Sequence, residues 1–122
     1  MNFQGGGNMK IDWAYLRKGW KSCTNSQEVL ENHKVTIKEV IDARKERFDS
    51  KKVWDLLHKA KTITTAKGQK VQRWDPRSDD KTIILQHVIG PSGNLRAPTY
   101  RIEDEFVVGF NSELYDKWMT EE

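Results

Sequence analysis

The side chain best suited to covalent chemistry in this 122-residue chain is its single cysteine, Cys23. It follows an apolar and aromatic run that predicts a strand, and it lies in or beside the first turn of a predicted helix. The positive end of a helix stabilises a thiolate, and Arg17, Lys18 and Lys21 add positive potential. We therefore expect the pKa of Cys23 to lie below that of a free cysteine unless burial dominates.

An inert, buried thiol is the alternative role for Cys23. A lone cysteine excludes an intramolecular disulfide and a cysteine-based zinc site within one chain. The three histidines are isolated from one another and from acidic clusters with ligand spacing, so we expect no metal site. Neither a phosphate-binding loop nor a dinucleotide fingerprint is present in the sequence, and we expect no cofactor.

The composition predicts one compact domain without a membrane span. Hydrophobic residues make up 36% of the chain and charged residues 32%, and 21 Lys and Arg against 18 Asp and Glu leave a net charge of +3. This mild excess, with signs that alternate over 45–49, argues against direct nucleic-acid binding. No apolar run is long enough for a membrane span and no signal peptide is apparent, so we expect a cytoplasmic protein.

Residues 1–8 resemble the remnant of a cleaved expression tag, with Met9 as the natural start. We therefore expect a single domain over residues 9–122.

The first half of the chain has the pattern strand, helix, strand, helix. We predict a strand over 10–17, a helix that begins between Trp20 and Thr24, and a second strand over 35–41. Ser50 is the predicted cap of a second helix, whose apolar positions run to Ala60.

The second half begins with an ambiguous stretch, 62–74, which fits either a hairpin or a long loop. A helix capped within 78–80 and stopped at Gly90 follows, and then a hairpin around a turn at 103–105. Asn111 or Ser112 caps a last predicted helix. Its apolar face comprises Leu114, Tyr115, Trp118 and Met119.

This order predicts an α/β domain: a mixed central sheet with helices on both faces, and a variable insert between a βαβ and a ββα half. Among small domains, a thioredoxin-like fold matches the order best.

Three segments resemble a known family: YLRKGWKSC at 15–23, GPSGNLRAPT at 90–99 and VVGFN at 107–111. In order and spacing they resemble the glutaredoxin-dependent arsenate reductases and the related Spx-type regulators. They resemble more closely a branch of arsenate-reductase-like proteins in which some members carry selenocysteine. The resemblance extends over essentially the whole chain from Met9 to Trp118 and implies a thioredoxin-like fold.

The resemblance implies a C-x-x-C or C-x-x-S motif whose first residue is the nucleophile. That position is Trp20 here, and Cys23 falls at the second, resolving position. An indole cannot ionise to a nucleophile near neutral pH, so the chain as written lacks the family's reactive group. In a second register, Cys23 and Ser26 form C-x-x-S and Cys23 is the nucleophile.

Two explanations of Trp20 remain open. In the first, the tryptophan is natural, and the protein is a degenerate, monothiol or purely binding member of the family, inactive or monothiol as an oxidoreductase. In the second, it stands where a UGA codon was written. An ordinary core aromatic is a third interpretation.

The resemblance also implies a partner-binding surface around a cis-proline. Pro98 matches the cis-proline that faces the redox motif, where neighbouring backbone pairs with a bound peptide or glutathione. Ala97 replaces an anion-binding arginine, and Leu16 replaces a histidine, so we do not expect arsenate as the substrate. The residues predicted to bind substrate or partner are Arg17, Lys18, Ser22, Arg96, Ala97, Pro98 and Thr99.

The function implied is a thiol- or selenol-dependent oxidoreductase whose nucleophile position, Trp20, holds a non-redox residue in this form. Cys23 would resolve a mixed disulfide, and glutathione, glutaredoxin or a thioredoxin-type protein would donate the thiol. The alternative is a non-catalytic protein-binding module that resembles the Spx-type regulators, in which Trp20 serves as an apolar anchor.

Overall fold

The computed structural model of the chain describes residues 10–19, 21–32, 35–111 and 113–115. Within these ranges the chain forms eight strands and three helices. The strands are β1 (Lys10–Ile11), β2 (Trp13–Leu16), β3 (Thr36–Ile37), β4 (Val40–Asp42), β5 (Thr62–Lys67), β6 (Lys70–Trp74), β7 (Thr99–Ile102) and β8 (Glu105–Val108). The helices are α1 (Lys21–Asn32), α2 (Ser50–Leu57) and α3 (Lys81–Val88). None of these helices has the length and apolar content needed to cross a bilayer.

Six strands form one mixed sheet in the order β4-β2-β7-β8-β5-β6. Strand β2 is parallel to β4 and antiparallel to β7, and β8 is antiparallel to β7 and parallel to β5. The predicted α/β class with a mixed sheet is therefore confirmed. Strands β1 and β3 form a separate parallel pair, because each predicted first-half strand is interrupted, at Asp12 and at 38–39.

Strand β2 is the centre of the core. All four of its side chains are buried although they alternate between the two faces of the sheet, so both faces are covered at this strand. Trp13 and Tyr15 share one face and stack at 6.1 Å between ring centroids, and Phe48 packs against both rings. This cluster fixes the segment after β4 against the sheet.

The ambiguous stretch 62–74 is a hairpin, β5-β6, that extends the sheet beyond β8. Gly68, with φ of 60°, lies in its turn. The sequence pattern could not distinguish a hairpin from a loop, because neither strand alternates clearly between apolar and polar residues. Strand β5 is buried at four consecutive positions, and β6 is mostly exposed. The predicted hairpin around 103–105 is also present, as β7-β8.

Helix ends differ from the sequence predictions by one residue or a turn. Asp49, not Ser50, caps α2 by accepting a hydrogen bond from the Lys52 amide at 3.0 Å. That helix ends at Leu57, and Ala60 is buried beyond it. Asp80 caps α3 as predicted within 78–80.

Asn111 caps a helical turn over 113–115 by accepting from the amide of Leu114. The prediction for Ser112 falls outside the described residues. The predicted positions of Trp118 and Met119 on the apolar face of this helix also fall outside the described residues.

Gly109 provides a test of the close packing between β5 and the segment after β8. Its φ is 95°, and a Cβ there would collide with the carbonyl oxygen of Ala66. Gly93 has a similar φ of 84°, but a Cβ there meets nothing within 4 Å.

We expect Gly93→Ala to cost about 1 kcal/mol of unfolding free energy, from the backbone conformation alone. Gly109→Ala should cost roughly 3 kcal/mol, because overpacking adds to the same strain.

Urea unfolding of the two variants measures this difference. Equal losses of stability would contradict the close approach of Gly109 to Ala66.

Candidate functional site

Two parallel strands bring cationic residues to one edge of the sheet. Strand β2 ends at Leu16 and β4 ends at Asp42, and the carboxyl ends of parallel neighbours lie side by side. The amide of Ala43 donates to the carbonyl oxygen of Leu16 at 2.7 Å, which extends the ladder by one residue. Arg17 and Arg44 therefore leave the sheet at the same edge.

The segment 43–49 is fixed above this edge by β2. The hydroxyl of Tyr15 donates to the Glu46 carbonyl at 2.7 Å, and its ring packs 5.1 Å from that of Phe48. The Leu95 amide donates to the Phe48 carbonyl at 2.8 Å and joins this segment to the one before β7. Burial raises the pKa of Tyr15, so its hydroxyl stays protonated and remains a donor near neutral pH.

Between these segments lies a cavity of about 400 Å³, which we call the arginine cavity. It is lined by Tyr15, Arg17, Ala43, Arg44, Arg47, Ser92, Asn94, Leu95 and Ala97. Three of these residues are arginines, and none is Asp or Glu. Arg44 Nε lies 3.9 Å from a carboxylate oxygen of Asp42, which does not line the cavity. The cavity therefore suits an anionic ligand.

The peptide bond between Ala97 and Pro98 is cis, as the resemblance implied. Thr99 pairs with Tyr15 across β7 and β2, so Pro98 lies beside Leu16 at the end of β2. Ala97 is buried and lines the arginine cavity. Two of the predicted site residues, Arg17 and Ala97, are thus brought to one cavity beside the cis-proline.

Cys23 lies in the first turn of α1 and is only 1% exposed. Its sulfur accepts a hydrogen bond from the Arg17 amide at 3.3 Å, and that bond favours the thiolate. Burial has the larger effect and raises the pKa of Cys23 above the ordinary value of a cysteine. The expected lowering of this pKa is not found, because desolvation outweighs the helix end and the amide hydrogen bond.

Arg96 faces away from the arginine cavity, in contrast to our expectation of a shared partner-binding surface. Its guanidinium donates to the carbonyl oxygens of His87 at 3.2 Å and Ala66 at 3.0 Å. It lines a second cavity, between the β5-β6 hairpin and α3. Arg96 and Ala97 are consecutive, yet their side chains line different cavities.

The other predicted site residues occupy different environments. Thr99 is fully buried, and its hydroxyl donates to the Arg96 carbonyl at 2.7 Å, so it shapes the segment around the cis bond and is not available to a partner. Lys18 is exposed after β2. Ser22 lies in α1, but its side chain, like all of Trp20, falls outside what the structure describes.

The polar cavity residues that were not among the predicted site residues include Arg44, Arg47, Ser92 and Asn94. A signal for the two arginines was available. Parallel strands end at Leu16 and Asp42, and basic residues that follow the two ends lie at the same edge of the sheet. Ser92 and Asn94 carry no such signal, because only the fold brings the turn at 90–94 over this edge. Across the described residues, no three His, Cys, Asp or Glu side chains are grouped as a metal ion would require.

Comparisons with known proteins found no match: no family model matches the chain, and neither a curated protein nor a solved structure is significantly similar to it. The resemblance to the arsenate-reductase-like family therefore depends on the residues quoted above.

The burial of Cys23 predicts slow alkylation with an alkaline midpoint. Because burial raises its pKa, the thiol is protonated near neutral pH, and the rate with iodoacetamide should rise only at a pH above the midpoint of an unstructured cysteine peptide. The same protein in urea should react at the peptide's rate and midpoint, which controls for reagent effects. A native midpoint below that of the peptide would show that the helix end and nearby cations outweigh burial.

Proposed function

We propose that this chain is a thioredoxin-type domain of the arsenate-reductase-like kind, and that its site serves thiol- or selenol-dependent exchange with an anionic thiol such as glutathione. The observation that carries the proposal is the cationic arginine cavity beside the cis bond before Pro98, at the end of β2. The strand order β4-β2-β7-β8 and its directions support the fold assignment, because they match a βαβ unit followed by a ββ hairpin. The β5-β6 hairpin is then the variable insert.

Glutathione suits the arginine cavity in charge and size. It carries two carboxylates, and Arg44 and Arg47 offer guanidinium groups in a cavity that no Asp or Glu of the described residues lines. The Pro98 carbonyl accepts from the Gly109 amide at 2.8 Å. Ala97 precedes β7, which starts at Thr99, and no strand of the described residues pairs with it. In the proposal, a cysteinyl peptide lies along Ala97, near the end of β2 that the chain leaves toward α1.

Residue 20 immediately precedes α1 and is the position from which a nucleophile would act. A thiolate or selenolate there attacks one sulfur of oxidised glutathione, forms a mixed disulfide or selenenylsulfide, and releases one glutathione thiolate. The Cys23 thiol then loses its proton to solvent and attacks that bond, so that residues 20 and 23 become joined and a second glutathione leaves. Two electrons pass from the protein to oxidised glutathione, and a thioredoxin-type donor restores the starting state.

With tryptophan at position 20, this exchange cannot begin. Cys23 is no substitute, because it is 1% exposed and its raised pKa keeps it protonated. The chain as written is therefore proposed to bind the thiol ligand without turnover. The same burial favours the second candidate function, a non-catalytic protein-binding module, since it leaves no activated thiol among the described residues.

Restoring a thiol at position 20 tests the exchange function. We expect Trp20→Cys to form an intramolecular disulfide with Cys23 under mild oxidation, because it creates a C-x-x-C spacing that ends in the first turn of α1. It should also gain exchange activity with oxidised glutathione of at least ~100-fold over the parent chain, as expected when a reactive thiol is added to a chain whose one thiol is buried and protonated.

Trp20→Ser is the matched control, since it removes the indole without adding a thiol. In Trp20→Cys with Cys23→Ser, the mixed disulfide should accumulate because no resolving thiol remains. Exchange no faster in Trp20→Cys than in Trp20→Ser, with both variants folded by circular dichroism, would reject the redox function and leave the protein-binding alternative.

The arginine cavity provides a test that does not depend on position 20. We expect Arg44→Gln with Arg47→Gln to weaken glutathione binding to the parent chain about tenfold, through loss of two partly exposed charged contacts. Lys45→Gln with Lys51→Gln removes the same charge from nearby exposed sites outside the cavity and should change affinity less than about twofold. Isothermal titration calorimetry measures both. Equal effects in the two pairs would mean that the cavity does not hold the ligand.

A further inference from the structure

The second cavity, which we call the hairpin cavity, lies between the β5-β6 hairpin and α3 and has a volume of about 430 Å³. Its polar lining includes Thr65, Lys67, Lys70, Gln72, His87 and Arg96, and no Asp or Glu lines it. A volume of this size is within the range of small-molecule sites. The proposed thiol exchange makes no use of it.

Cationic groups meet in this cavity at a cost to stability. Lys67 and Lys70 are directly paired across β5 and β6, so both side chains leave the same face of the hairpin. Like charges in such a cross-strand pair repel each other. Neither lysine forms an ion pair with a carboxylate of the described residues. The segment 59–74 holds five Lys and Arg and no Asp or Glu, so the repulsion is not relieved within the hairpin.

Arg96 adds a partly buried cation at the inner end of the same cavity. Its two hydrogen-bond partners, the carbonyls of His87 and Ala66, are neutral, and no carboxylate of the described residues lies within ion-pair distance. A guanidinium has five N–H donors, so two bonds leave donor capacity for a ligand. A buried cation without a counter-charge is unfavourable, and an anion in the cavity would relieve that cost.

Neutral donors and acceptors complete the lining. Thr65 and Gln72 are paired across the hairpin, two residues further from the turn than Lys67 and Lys70, and so lie on the same face as the two lysines. The Thr65 hydroxyl already accepts from the Trp74 indole at 3.0 Å and keeps its own hydrogen for another acceptor. Donors thus extend along the cavity from Lys67 and Lys70 at the turn to Arg96 inside.

We propose that the hairpin cavity binds a small polyanion, a molecule with two or more phosphate or carboxylate groups, between the paired lysines and Arg96. This proposal does not rest on the proposed thiol exchange, since the ligand, the cavity and the residues all differ. The separated positive groups favour a ligand with more than one anionic group over a single small anion.

Amide chemical shifts of the full chain would locate binding. Pyrophosphate and citrate are the two probes, titrated at constant ionic strength, with chloride as the reference anion. We expect saturable shifts at Lys67, Lys70 and Gly90 with at least one probe and none with chloride. A response to pyrophosphate alone identifies phosphate chemistry, and a response to citrate alone identifies carboxylate chemistry.

Two charge-matched pairs of substitutions complete the test. Lys67→Gln with Lys70→Gln should weaken probe binding about tenfold, because two contacts of exposed cations are lost. Lys59→Gln with Lys61→Gln removes the same charge from the same acid-free segment but outside the cavity, and should leave the affinity within about twofold. Shifts that follow ionic strength alone, that map to the arginine cavity, or that weaken equally in both pairs would overturn the proposal.

Discussion

The burial of β2 on both faces of the sheet determines the rest of this structure. Four consecutive buried side chains can be accommodated only if β2 is flanked on both sides and covered above and below. Strand β4 on one side and β7 on the other meet that requirement. Their pairing with β2 also brings the segments 43–49 and 92–98 to its carboxyl end. The arginine cavity is a consequence of how this one strand is enclosed.

The same enclosure decides the state of Cys23. A helix end and an amide hydrogen bond from Arg17 both favour the thiolate, but the side chain is enclosed in the core, where desolvation raises its pKa. The serine one turn further along α1 adds to this enclosure, since Ser26 bonds to both the Cys23 carbonyl and the Tyr100 hydroxyl. Among the described residues, this end of the sheet therefore presents no activated thiol. In the proposed exchange, position 20 supplies the nucleophile and Cys23 takes part only after a first bond has formed.

The sequence predicted the elements that depend on local pattern and missed the features that depend on tertiary contact. The α/β order, the mixed sheet and the β7-β8 hairpin follow from periodicity and turn residues, and the cis bond before Pro98 followed from the family resemblance. The direction of Arg96 could not be predicted, because it depends on the carbonyls of His87 and Ala66, which only the packed hairpin and α3 bring near. Likewise, the pKa of Cys23 depends on burial, which spacing alone does not measure.

The most direct test of the central proposal, that the arginine cavity holds an anionic thiol for exchange at position 20, is a crystal structure of Trp20→Cys with Cys23→Ser carrying one glutathione on the new thiol. The account predicts that the glutathione carboxylates contact Arg44 or Arg47 and that its cysteinyl backbone lies along Ala97, beside the cis-proline. A glutathione that extends into solvent, or that lies against a different face of the sheet with the arginine cavity empty, would contradict it.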